Sequence, residues 1–142
     1  MTNKEFEKEI KKWAKEFGLT SFYFCRDDRI EFAACVGLYR DGNPYLDYNL
    51  KSINDFGRDY RSVLFHEFGH IKYKHYLIKN NSLKIQIKKE YEAEKFNFKM
   101  FKKYFPKRAE ILRRHQLKMI NDNEWAMRWP VHVIAFRKVY EK

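Results

Sequence analysis

Apolar residues recur at spacings of three and four along the first seventeen positions. Phe6, Ile10, Trp13, Ala14 and Phe17 fall on one stripe of NKEFEKEIKKWAKEF. That period predicts an amphipathic helix over 3–17, with Gly18 where a C-cap glycine is expected. From 20 to 50 the pattern changes. TSFYFCR and RIEFAACVGLY are rich in aromatic and β-branched residues and predict two strands. DGNP predicts a turn, and PYLDYNL after it predicts a third strand, with Tyr45, Asp47 and Asn49 on one face and Leu46, Tyr48 and Leu50 on the other. From about Asp59 to Ile78 the apolar positions Val63, Leu64, Phe65, Phe68 and Ile71 go almost all round a helix, which marks it as buried. Asn80, Asn81 and Ser82 break it, and Ser82 can cap a third helix that runs to about Phe105, where Pro106 ends it. A fourth helix is expected over 107–120, followed by an apolar tail from about Asn121 with a break at Pro130. The expectation is a single α+β domain over 1–142: an N-terminal helix, a small, mostly antiparallel three-stranded sheet, then helices to the C-terminus.

Composition agrees with a folded chain. Of 142 residues, 44% are hydrophobic and 18% aromatic, which excludes the disordered class. The longest apolar run, Phe32 to Tyr39, is far short of the roughly 18 residues of a spanning helix, so no membrane role is expected. The start, MTNKEFEKEI, lacks the apolar core of a secretory signal. Cys25 and Cys35 are too few for a disulfide framework. They are expected as reduced, buried strand residues of a cytoplasmic protein. The net charge of +11 suits a solvated lysine-rich surface, since the lysines spread along the whole chain. The alternative it keeps open is a surface for nucleic acid or a regulatory protein.

The chemistry concentrates at His66-Glu67-Phe68-Gly69-His70, an HExxH on the buried helix. Two histidines four apart differ by about 40° in direction, so both imidazoles reach one point. Glu67 is turned about 100° from His66, beside a metal rather than on it, where a general base stands. A catalytic zinc needs a third protein ligand and one open position for water. Positions 73 and 76 are both Tyr. His75, five residues beyond His70, lies about 140° round the helix and is expected at the surface. The next helix offers Glu90, Glu92 and Glu94. Ile87, Glu90, Tyr91, Glu94, Phe98 and Phe101 share one side of it, and Lys88, Lys89, Glu92, Lys95 and Lys99 the other. Glu90 is therefore the expected third ligand and Glu94 a residue that orients a ligating histidine. Gly69 would let a neighbouring helix come close.

HEFGH at 66–70 and EYEAE at 90–94 resemble the gluzincin metallopeptidases, the second motif matching that family's ExxA(D/N/E) ligand helix. The likeness covers about residues 60–105, with Glu at 94 where Asp or Asn is commoner. The compact size resembles the minigluzincins, and EYEAEKF with the glycine in the motif is similar to the ImmA/IrrE-type peptidases. The resemblance implies a zincin-like fold, Zn²⁺ on His66, His70 and Glu90, and hydrolysis of a peptide or protein substrate with Glu67 as general base. It also implies an edge strand over the cleft, expected near Pro44 to Leu50, that pairs with an extended substrate. An oxyanion donor is expected among His132, Arg128, His115 and Tyr91, with His132 named as the catalytic candidate. Minigluzincins further imply latency, with the C-terminal tail as the plug; the same tail would equally serve as the last layer of the core. The competing expectation is a non-catalytic zinc module whose basic surface binds nucleic acid or a regulatory protein.

Overall fold

The computed structural model describes residues 1–56 and 59–141, and its contacts sort the chain into two units, Met1–Leu77 and Ile78–Lys142. The fold class is α+β, as expected. The first unit contains α1 (Asn3–Glu16), β1 (Tyr23–Arg26), β2 (Ala34–Leu38), β3 (Pro44–Tyr48), α2 (Leu50–Asp55), α3 (Tyr60–Lys72) and a 3-10 turn at His75–Leu77.

Helix α1 starts at a capping box. The Thr2 hydroxyl accepts the Glu5 N–H at 3.2 Å and the Glu5 carboxylate accepts the Thr2 N–H at 3.1 Å. It ends at Gly18, whose φ of +68° suits a residue without a side chain. The stripe Phe6, Ile10, Trp13 and Ala14 is buried. Phe6 lies 4.6 Å from the Tyr48 ring of β3, and Trp13 lies 5.0 Å from Phe65 of α3, centroid to centroid. Each ring so buried contributes about 1.5–3 kcal/mol. Together they pin α1 to both the sheet and α3.

The sheet is mixed rather than mostly antiparallel, with strand order β1-β3-β2. β2 and β3 form an antiparallel hairpin, closed by a tight turn in which the Gly42 N–H reaches the Tyr39 carbonyl. β1 pairs with β3 in parallel, because the hairpin inserts β3 between the two earlier strands. β3 is therefore central and has no free edge, which overturns the expectation that the segment near Pro44 to Leu50 is the cleft's edge strand. The edge strand that packs on α3 is β2. The third strand is also shorter than its pattern suggests. The Asn49 side chain accepts the Ser52 N–H at 2.9 Å and donates to the Asp28 and Ile30 carbonyls, so Leu50 opens α2 instead of extending β3.

The second unit is helical: α4 (Leu83–Tyr104), α5 (Pro106–Ile120), α6 (Asn123–Arg128) and α7 (Pro130–Tyr140). Ser82 caps α4 as expected. Pro106 and Pro130 open α5 and α7, where a missing N–H is harmless. Helices α4, α5 and α7 pack on one another. Their core comprises Ile120, Ala135, Phe136 and Tyr140, flanked by Ile87, Tyr91 and Phe98. The apolar tail thus supplies a layer of this unit's own core. No described helix is long and apolar enough to cross a membrane.

A chain ending after Arg128 should lose the helical fold of the second unit, because Ala135, Phe136 and Tyr140 leave with α7. The check is circular dichroism with limited proteolysis. A truncated chain that keeps its helicity and protease resistance would show that the tail is dispensable.

Candidate metal centre

Helix α3 is capped by Asp59, whose carboxylate accepts the Arg61 N–H at 3.1 Å. Its buried set, Val63, Leu64, Phe65, Phe68 and Ile71, also encloses polar groups. His66 and Glu67 are each 8% exposed. Burying such groups is costly unless they are paired or ligated. Successive helical positions put the two histidines on one side, and the His66 and His70 Nε2 atoms stand 3.2 Å apart with their rings near perpendicular. Two nitrogens bound to one tetrahedral zinc at about 2.05 Å would lie ~3.3 Å apart. The pair is therefore spaced to share a metal, and the donor type suits zinc.

A third histidine joins them. His75 is 4% exposed, and its Nδ1 stands 2.8 Å from the Nδ1 of His70. This corrects the expectation of a surface histidine. The helical angle of about 140° does not apply, because α3 stops at Lys72. The Tyr73 N–H caps the helix on the Gly69 and Ile71 carbonyls, and Lys74 turns the chain back with φ +54°. The 3-10 turn then returns His75 to His70. The apolar period does fade after Ile71, but no residue type announces the reversal, which glycine or asparagine would usually make.

Among the described residues neither cysteine joins the histidine group. Cys25 is exposed on β1, not buried as expected, and Cys35 on β2 is half-buried. In register, both lie opposite Asp47. The Cys35 thiol is pushed up to about 11, by burial first and then by the charges of Glu67, Asp47 and Asp27. Cys35 thus reports that β2 brings its side chain within electrostatic reach of Glu67.

In the second unit, Glu90 and Glu94 lie one turn apart on α4 and are both at least half-buried. The Glu90 carboxylate stands 3.3 Å from His132 Nε2 on α7. Rings of Trp125, Trp129 and Phe136 surround His132, with centroids 5.6–6.3 Å away. Glu94 is 1% exposed and accepts hydrogen bonds from Asn97 at 3.1 Å, from Gln116 at 2.9 Å and from the Tyr140 hydroxyl. Of the other oxyanion candidates, Tyr91 packs beside the core and His115 and Arg128 are exposed.

No family model, curated protein or solved structure matches the chain.

Alkylation should separate the two thiols. At pH 8 the exposed Cys25 should react first, and the Cys35 rate should keep climbing past pH 10, because a raised pKa withholds thiolate until then. Peptide mass spectrometry over a pH series reads both rates; equal rates at pH 8 would contradict the assigned environment of Cys35.

Proposed function

We propose that the chain is a zinc metallopeptidase that holds the metal with His66, His70 and Glu90 and uses Glu67 as general base. The observation that carries the proposal is the 3.2 Å approach of the His66 and His70 Nε2 atoms on a buried helix that also buries Glu67. Glu90 enters through its spacing after the HExxH and its place on the inward side of α4. Two imidazoles and a carboxylate form a donor set that leaves a fourth position open.

When bound, zinc supplies a Lewis acid for the scissile carbonyl and lowers the pKa of water toward about 7. The protein residues do the rest. Glu67 takes a proton from the attacking water and delivers it to the amide nitrogen as the C–N bond breaks; with the water's second proton also passed to the amine, the products are a carboxylate and an ammonium ion. His132 holds the Glu90 carboxylate from α7, so orientation of that ligand is its proposed role in place of oxyanion stabilisation. An extended substrate would add to β2, the edge strand packed on α3. Because α7 belongs to the core of its own unit, release of the tail is not part of the proposal.

Elemental analysis after zinc reconstitution should give about one zinc per chain, lost in His66→Ala and Glu90→Ala. Glu67→Gln should keep the zinc and lose peptidase activity by about 100- to 10,000-fold. Full activity in Glu67→Gln would remove Glu67 from the mechanism.

One observation favours a second reading, a surface for nucleic acid. The charge is not shared evenly: Ile78–Lys142 carries 17 Lys+Arg against 7 Asp+Glu, and Met1–Leu77 carries 13 against 12. Lys99, Lys102, Lys103, Lys107 and Arg108 are all exposed around the α4–α5 corner. Such a patch would bind duplex DNA with an affinity that falls with salt, the logarithmic slope being about −0.9 per phosphate contacted. Fluorescence anisotropy across 50–200 mM salt tests it; no binding at the low end would retire this reading.

A further inference from the structure

We propose that His75 is a positioning residue: it fixes the ring of His70 so that Nε2, and not Nδ1, is the atom offered to the metal. The inference rests on the zinc reading and adds a partner that the HExxH motif does not contain.

The geometry is continuous from one imidazole to the next. His75 Nδ1 meets His70 Nδ1 at 2.8 Å, and His70 Nε2 meets His66 Nε2 at 3.2 Å. The His70 and His75 rings lie 5.1 Å apart and are steeply inclined, which aims one ring nitrogen at the other rather than stacking the faces. A neutral imidazole carries one N–H. If His70 gives its Nε2 lone pair to a metal, its proton must sit on Nδ1. That N–H then faces His75 Nδ1, which accepts it when the His75 proton is on Nε2. Ligating histidines usually donate their second N–H to a carboxylate, a carbonyl or water. Here the acceptor is a buried ring.

The chain keeps a strained connection to bring this ring back. Lys74 takes a left-handed φ of +54°, a conformation strained for a non-glycine residue. The Lys74 N–H bonds the Ile71 carbonyl and the Leu77 N–H bonds the Lys74 carbonyl, each at 3.1 Å. This holds the 3-10 turn closed under His70. A continued helix would carry His75 to the far side.

The test compares zinc affinity, by chelator competition, in the wild type, His66→Ala, His75→Phe and His75→Asn. Asn offers an acceptor near the position of Nδ1; Phe offers none. With zinc binding in the wild type and its loss in His66→Ala, His75→Phe should weaken binding about 10- to 100-fold, and His75→Asn should recover most of it. Nitrogen-15 NMR of the zinc-loaded wild type should show a scalar coupling between His70 Nδ1 and His75 Nδ1 across their hydrogen bond, a readout that no mere packing role would produce and that needs no variant to fold. Wild-type affinity in a folded His75→Phe, or a His70 that binds zinc through Nδ1, would overturn the role of His75 while leaving the zinc reading intact. A folded wild type that takes up no zinc would overturn both.

Discussion

The structure of the first unit turns on one constraint: α3 buries the His66 imidazole and the Glu67 carboxylate against an aromatic core and half-buries His70 beside them, and each of these polar groups must find a partner there. The histidine part of this requirement is met locally. His66 faces His70, and His70 faces His75. The surrounding packing anchors the helix that carries His66 and His70. Trp13 and Phe17 meet Phe65 edge-on, Phe22 meets Phe68, and the Phe6 ring lies tilted against Tyr48. A metal site benefits from such a setting, because ligand rings fixed beforehand lose little freedom when the ion arrives.

The second unit meets a comparable problem with a carboxylate. Glu94 lies in the core, and donors from three helices converge on it: Asn97 on α4, Gln116 on α5 and Tyr140 on α7. The Tyr140 hydroxyl is held well above its usual range, by burial first and then by the Glu94 charge, so it remains a donor. Its main-chain carbonyl also accepts from Arg113 at 3.0 Å, which ties the end of α7 to α5. Glu94 thus binds the three helices of its unit together. Glu90, one turn away, is held by His132.

Much of this was legible in the amino-acid sequence, for identifiable reasons. The α1 stripe, the Ser82 cap, Pro106 and the start of the all-round apolar α3 are local signals that place those features to within a few residues, whereas α3 ends at Lys72, six residues short of the expected Ile78. The HExxH was legible because helix geometry alone brings residues four apart together. What could not be read depended on longer-range pairing or on unmarked backbone. The parallel β1–β3 pairing follows from which strand inserts between the others, and strand patterning does not encode order. Asn49 looked like one more strand residue, although its side chain starts α2. His75 was misplaced because Lys74 makes a left-handed turn without the glycine that would announce it. Cys25 carries an apolar residue's propensity on an exposed strand position, where propensity says nothing of burial.

The central claim is that the His66–His70 pair, with a carboxylate, holds zinc. Zinc K-edge X-ray absorption of the reconstituted protein tests this most directly, because it counts ligands by atom type. The account predicts two imidazole nitrogens at about 2.0–2.1 Å with oxygen donors completing four-coordination, and no sulfur. Sulfur at about 2.3 Å, or a spectrum without imidazole scattering, would contradict it.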